Sequence, residues 1–451
     1  MKKDILLALR NLTRHGRRNV MTALCIIMGY TGLALVSGYN ERWENTLTAS
    51  TVYLNHGGSV SIYKKEALLK YASKPREFGL SKSDQDVILA EVQGDPKVDY
   101  FGRYLVGYGL VGNGCTSVPF LAKGIDTSIQ DKIWSEPTVQ KWTSELMDFE
   151  KGKPFWTSLS ENPVGLSLGL ARRLKKSFVE ADFQDQKPLF ATTLDCIGMD
   201  RGEDVGDKNA SLQILAQTHG GYVAALEATA VNHFSTGVAF SDESSLLTSL
   251  STLQKLYETE DITYLAVYLK NQSEAQSYAK TLKLKLQKAG LDDVEVYPYT
   301  SETVSPFYVG IMSFLYSMEI FFAVLFLAVV ILSVVNTLSL GLLERKKELG
   351  LFRSIGFSPN RVAFMIMCEG FVLAVLSVAL GVLLTQLLAG LINSLNIRFR
   401  PVGFSGTSKL MSTPGTWTLT WIGLVFLFSV VITSYVSAKK FLGRNLRSLL
   451  E

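Results

Sequence analysis

Residues 336–361 read NTLSLGLLERKKELGLFRSIGFSPNR, a short charged connection between two long apolar runs. The residues before Glu344 and after Arg361 suit lipid. Glu344, Arg345, Lys346, Lys347, Glu348 and Arg353 do not, because each would cost about 3 kcal/mol or more at the bilayer centre. The connection therefore belongs in water at a membrane face. Leu349, Leu351, Phe352 and Ile355 give it a half-turn of apolar surface, Gly350 admits a close backbone, and Gly356 is placed to end a short helix. Ser358 before Pro359 reads as the N-cap and first residue of the next helix. A short solvent-facing helix with an apolar ridge needs a partner to cover it.

Working outward, four stretches are long and apolar enough to cross roughly 30 Å of hydrocarbon: residues 20–40, 307–343, 361–393 and 416–437. Glu319 in the second and Glu369 in the third are expensive in lipid and so are candidate functional residues. For Glu369 the favoured role is a packed polar contact between helices; Glu319 is left open, with a place between two copies of the chain among its options. Over all 451 residues the apolar share is 47% and mean hydropathy is +0.19, high for a soluble protein and low for one wholly in lipid.

Charge sets the orientation. Lys and Arg before the first span, in residues 344–361 and after the last span number 15, against only Asp4, Glu344, Glu348 and Glu451. Residues 41–306 hold 27 basic and 35 acidic side chains. By the positive-inside rule both termini and the 344–360 connection are cytoplasmic, and 41–306 and 394–415 lie outside. The first span is too long for a signal-peptide core and lacks a clean cleavage site after it, so it reads as an uncleaved anchor. Residues 1–19 carry apolar and basic positions at helical spacing, the pattern of an interfacial amphipathic helix or, on composition alone, equally of a charge cluster that only sets orientation, and 438–451 form a basic tail.

The outer segment is too long for a loop and apolar enough to fold. Near its start, 59–63 reads as a strand, 81–92 as a helix and 98–107 as a strand. Near its end, 263–270 reads as a strand, 273–289 as a helix with a Ser273/Gln276 capping box and Gly290 at its close, and 293–297 as a strand. Two strand-helix-strand units bracketing an insertion suggest one α/β domain built from 41–126 and 250–306, with an inserted subdomain at 127–249. Within the insertion 165–174 reads as a helix, and 189–198, 211–217 and 237–241 as strands. The second span, as one helix, would reach about 55 Å and project outward as a stalk.

The run Glu344-Arg345, Glu348-Leu349-Gly350-Leu351, Arg353-Ser354-Ile355-Gly356, preceded by Asn336, resembles the signature of the MacB/FtsX/lipoprotein-releasing (LolC/LolE-type) ABC transporter permeases. A loop made basic only for orientation would explain Lys346 and Lys347 but not the Glu-Leu-Gly order. The resemblance implies a membrane α-helical protein of four transmembrane helices with a large α/β extracytoplasmic domain, in a bacterial inner membrane. It implies that Glu344, Arg345, Glu348, Leu349, Gly350, Leu351, Phe352, Arg353, Ile355 and Gly356 couple to a cytoplasmic ATPase subunit, which binds the ATP and Mg. It further implies a second permease copy, identical or not, contact with membrane lipids, and a periplasmic adaptor or lipoprotein acceptor as a further partner; nothing points to nucleic acid. Gly29, Gly32, Ser377 and Gly381 would allow close helix approach. The family's proline-alanine pattern at the end of the last span is absent.

No GxxxxGK[ST] loop occurs, so the chain has no usual cradle for a nucleoside triphosphate, and no GxSxG elbow marks a nucleophile. His15, His56, His219 and His233 lack metal-ligand spacing, and Asp200, Glu203, Asp204 and Asp207 lack the order of a calcium loop; no metal site and no catalytic residue is expected. Cys25 and Cys368 fall in spans. Cys115 and Cys196 fall outside, where oxidising conditions permit a disulfide that sequence alone cannot pair. Two functions fit: a permease that relays ATP-driven motion to an outer domain acting on lipoproteins or amphipathic compounds, and an FtsX-like scaffold that activates a cell-wall hydrolase. The large outer segment leans towards transport.

Overall fold

The computed structural model describes residues 16–114, 116–143, 151–152, 154–174, 176, 211–399, 403–404 and 407–442. The chain separates into two compact units: Met1–Glu44, Met312–Ile397 and Leu410–Glu451 form one, Asn45–Ile311 and Arg398–Lys409 the other. The chain enters through α1 (Gly16–Ala49), which ends in a π-helical turn, Ser50–Leu54. The helix thus runs past residue 40, where the hydropathy of the first span ends, through Glu41, Arg42 and Glu44. Glu41 gains partners there by accepting hydrogen bonds from the Gly415 N–H (2.9 Å) and the Thr418 hydroxyl (3.1 Å).

The aqueous unit follows as β1 (Val60–Lys64), α2 (Ala67–Lys70), α3 (Pro75–Phe78), α4 (Lys82–Val92), β2 (Val98–Gly112) and β3 (Ser117–Ile125). Next come α5 (Gln130–Ser135), α6 (Pro137–Thr143), β4 (Lys151–Gly152), β5 (Pro163–Ser167), α7 (Leu168–Arg173), β6 (Ser211–Gln217), β7 (Val223–Phe234), α8 (Ala239–Asp242) and β8 (Ser245–Ser249). It closes with α9 (Leu250–Tyr257), β9 (Tyr264–Leu269), α10 (Ala275–Lys288) and β10 (Val294–Pro298). The strands make one mixed sheet of order β10-β1-β9-β2-β3-β8-β5-β7-β4, with β6 joined to β2 and β7. First and last strands pair directly: β1 lies antiparallel between β10 (Ile62↔Val296) and β9 (Ile62↔Leu265). The 15-residue β2 carries the sheet onward, meeting β9 with its first half and β6 with its second.

Local signals explain several elements. Ser81 caps α4 in a reciprocal box with Asp84, and Gly290 at φ +89° closes α10. Elsewhere tertiary context overrides the sequence reading. Gly165–Ser167, expected as helix, belongs to β5 because β7 and β8 flank it on both sides. Residues 239–241 of the expected 237–241 strand fall instead in helix α8, where the Asp242 carboxylate accepts from the Thr236 N–H at 2.6 Å. The expected Ser273/Gln276 box is replaced by Asn271, whose side chain accepts from Ser273 N–H and starts a 3-10 turn before α10. The reading of 189–198 as a strand, the acidic run 200–207, Cys115, Cys196 and residues 1–15 lie outside the described residues.

Strand β9 is buried along its whole length rather than alternating. One face packs against α4, α9 and α10. The other holds a stack of tyrosines: Tyr63 on Tyr264 (4.9 Å between centroids), Tyr264 on Tyr104 (5.0 Å), and Tyr100 on Tyr268 (4.5 Å). The Tyr104 and Tyr268 hydroxyls share a hydrogen bond of 2.8 Å. Beside them Lys123 is half-buried, its ammonium donating to the Asn55 carbonyl at 2.7 Å, and desolvation pulls it down to about 8. His56, paired with Gln130 at 3.2 Å, is pulled by burial and by Lys123 down to about 3.

The remaining helices are α11 (Pro306–Glu344), α12 (Lys346–Ser354), α13 (Pro359–Ser394) and α14 (Thr416–Leu442), with a two-stranded ribbon of β11 (Arg398–Phe399) and β12 (Ser408–Lys409) before the last. Among the described residues four helices are long and apolar enough to cross a membrane: Asn19–Leu54, α11, α13 and α14. Their shared core gathers Ile26, Tyr30, Val330, Ala374, Phe426 and Val430. Tyr30 stands edge-on to Phe426 and donates to the Leu419 carbonyl at 2.9 Å. Gly381 makes room for it, since a Cβ there would lie 2.7 Å from the Tyr30 ring. Outward surfaces stay apolar: Ile320, Val324 and Leu332 of α11 and Leu383 and Leu387 of α13 are all more than 60% exposed, as lipid-facing side chains should be.

Candidate functional site

The site is built where α11 gives way to α12. Helix α11 is continuous for 39 residues, about 58 Å at 1.5 Å per residue, and ends at Glu344. Arg345 makes the corner, α12 takes a short step, and Gly356 at φ +99° turns the chain in a conformation that a side chain would strain. The Ser358 hydroxyl then accepts from the Arg361 N–H, with Pro359 in the first turn, and α13 begins. Each of these steps follows from the residue placed there.

The expected apolar ridge divides. Leu349 turns inward, 7% exposed, into a small core with Leu342, Val362, Ala363, Ile366, Ala438 and Leu442. Leu351 (58%), Phe352 (37%) and Ile355 (67%) remain exposed. Gly350 is buried beside Leu349, while Glu344 and Glu348 are exposed; the Arg353 side chain lies outside the described residues. The inward leucine seats the helix on the bundle, and the other three offer a surface.

Arg345 and Glu369, 24 positions apart, form a two-pronged ion pair. The guanidinium donates to both carboxylate oxygens, at 3.1 and 3.0 Å, and the side chains are only 16% and 21% exposed. Such paired geometry holds both partners in one orientation. Around it a cavity of about 60 Å³ is lined by Thr22, Thr337, Gly370 and Ser434, and the Thr22 hydroxyl donates to Thr337 at 2.6 Å. The polar contact expected at Glu369 is therefore with the corner residue itself. Sequence offered a faint signal: one basic residue at the very end of α11 and one acid a few turns inside α13.

Glu319 is held elsewhere in the same unit. It accepts from the Ser37 hydroxyl and from the Asn40 amide at 2.9 Å, so its carboxylate faces α1. Glu319 was visible in sequence; its partners Ser37 and Asn40 on α1 were not. Cys25 and Cys368 are half-buried in helices. Among the described residues no group of three or more His, Cys, Asp or Glu gathers to hold a metal.

Comparison with known proteins bears on this half of the chain first. Residues 320–446 match the model of the FtsX-like permease C-terminal family. No curated protein matches the chain. Among solved structures, the extracellular domain of the noncanonic ABC-type transporter YknZ from Gram-positive bacteria aligns at 13% identity over 53% of this chain and 98% of that one, with a TM-score of 0.30. The periplasmic region of MacB from Actinobacillus actinomycetemcomitans aligns at 12% identity over 55% of this chain and 94% of that one, with a TM-score of 0.31. The residues similar to the FtsX-like permease C-terminal family, 320–446, are those that hold the Arg345–Glu369 pair and the exposed ridge.

Proposed function

We propose that this chain is the permease subunit of a MacB/Lol-type ABC transporter in a bacterial inner membrane, relaying ATP-driven motion of a partner ATPase to an extracytoplasmic domain. The cargo class is lipoproteins or other amphipathic compounds taken from the outer leaflet or periplasm. The observation that carries the reading is the corner at Arg345: an apolar ridge of Leu351, Phe352 and Ile355 stands exposed on α12, while Leu349 and the ion pair tie that helix to α13. A surface of this kind suits docking against another protein, and its tether suits transmission of a push. The unbroken run of α11 supports the same reading, since a continuous helix can carry displacement along its axis. ATP and Mg belong to the partner, because this chain has no nucleotide loop. The positive-inside charge supports a cytoplasmic α12 and an outward sheet. A second permease copy and an outer acceptor complete the assembly.

Reconstitution with its ATPase tests this. Hydrolysis should rise at least severalfold when a lipoprotein or a lipophilic compound is added to the vesicles. Stimulation by neither, with a cell-wall hydrolase bound to the outer domain, would establish the scaffold function instead.

A further inference from the structure

The aqueous unit has a cleft of about 600 Å³ among α2, α3, the middle of β2, the β6–β7 turn and the end of α9. That is the size of a small-molecule site, roughly 300–1,000 Å³. Tyr71, Tyr108, Tyr257 and His219 are its aromatic wall. The His219 ring meets Tyr71 edge-on at 6.3 Å and Tyr257 at 5.8 Å. Gly107 makes this wall possible: a Cβ there would lie 2.3 Å from the Tyr257 ring, which crosses β2 and donates to the Tyr108 carbonyl at 2.8 Å.

Two features define an occupant, a cation on the rim and an apolar strip beyond it; the Tyr71 and Tyr257 rings of the wall behind them are buried and uncharged. The Nδ1 atom of His219 is sealed from solvent with no hydrogen-bond partner, a condition rare in folded proteins. Burial lowers the imidazole's proton affinity, with Asp261 opposing and Arg76 assisting, so the ring stands neutral at neutral pH. On the rim Lys74 is paired with Glu77 at 2.9 Å, whereas Arg76 is exposed and makes no ion pair among the described residues. Beyond the rim an apolar strip continues on the sheet, with Leu110 (46% exposed) opposite Leu215 (37%) across β2 and β6, and Tyr108 (49%) beside them. An exposed apolar strip leading into an aromatic cleft with an unpaired cation is not explained by folding.

We propose that this cleft binds an amphipathic organic anion, its acid group on Arg76 and its apolar body along the exposed Tyr108 towards Leu110 and Leu215. The site names a ligand class for the outer domain, and it rests on the proposed function only for the side of the membrane on which this unit stands. A long-chain acid free in solution and the acyl chain of an anionic lipid share this chemistry.

The test uses the full chain in nanodiscs without nucleotide or ATPase, so its failure leaves the coupling proposal standing. Three diazirine probes are compared by mass-spectrometric mapping of the label: palmitate in solution, phosphatidylglycerol within the disc, and a hexadecyl trimethylammonium of equal length. One of the two anions should label segments 67–77, 106–110 or 215–223 at least fivefold more than the cation, and whichever does so identifies the source. Arg76→Glu should reduce that label at least fivefold, and Leu110→Ser with Leu215→Ser, both on exposed positions, should reduce it in a chain that still folds. Equal labelling by anion and cation, indifference to Arg76→Glu, or label confined to α1, α11, α13 and α14 would overturn the proposal.

Discussion

Removing the Glu369 charge should loosen α12 from the bundle. In Glu369→Gln the Arg345 guanidinium keeps its position, 16% exposed, and loses a carboxylate that accepted two hydrogen bonds. Breaking a fully buried ion pair costs about 3–5 kcal/mol. Residual exposure and the neighbouring Thr22, Thr337 and Ser434 hydroxyls lower this to about 2–3 kcal/mol, which is a factor of roughly 30 to 150 in the population of the docked corner. Two measurements follow. Unfolding of the chain in mixed micelles should begin at lower denaturant in Glu369→Gln and in Arg345→Ala, and substrate-stimulated hydrolysis by the reconstituted ATPase should fall in both while basal hydrolysis persists. The exchange Arg345→Glu with Glu369→Arg should recover much of the lost stability, because the pair is restored with its polarity reversed. Single variants as stable and as well coupled as the parent, or an exchange no better than the worse single, would refute the argument.

Leu351→Glu places a charge in the exposed ridge without touching the inward Leu349; ATPase retained in a pull-down should drop at least thirtyfold, about 2 kcal/mol, while the melting temperature stays within a degree or so. Glu319→Leu takes the acceptor from the Ser37 hydroxyl and one of two acceptors from the Asn40 amide, which keeps the Leu315 carbonyl, and should destabilise the chain by about 1–3 kcal/mol, with Glu319→Gln milder, both read by unfolding in micelles. The buried His56 gives a pH signature: its folded-state pKa of about 3 lies below the ordinary 6.5, so between these values the unfolded chain binds more protons and stability falls as pH falls. The slope from this group is at most about 1.4 kcal/mol per pH unit, and His56→Gln should flatten it in thermal melts from pH 7 to pH 4.

Much of the corner between α11 and α13 was legible because its determinants are local. Charges between two apolar runs must lie in water, Ser358 and Pro359 start a helix, and Gly356 turns the chain wherever it is folded. The same holds for the Ser81 cap and for Gly290. Gly165 was not legible, since its strand conformation comes from pairing with β7 and β8, nor was the competition between Asn271 and Ser273 for one helix start. The inward turn of Leu349 also escaped, because four apolar residues on a short helix look equivalent until a bundle covers one of them.

From sequence alone came the four apolar helices, the clustering of charge between and beside them, the α/β character of the long aqueous segment, and the residues of the corner. These depend on composition and on spacing of a few residues, which act before the chain has folded. Tertiary structure decided which side chains meet: Arg345 with Glu369, Glu319 with Asn40, the tyrosine stack, and the cleft walled by His219 and Tyr257. Such pairs lie tens to hundreds of positions apart. Their distance is set by how helices and strands pack, a property of the whole fold that no local pattern carries.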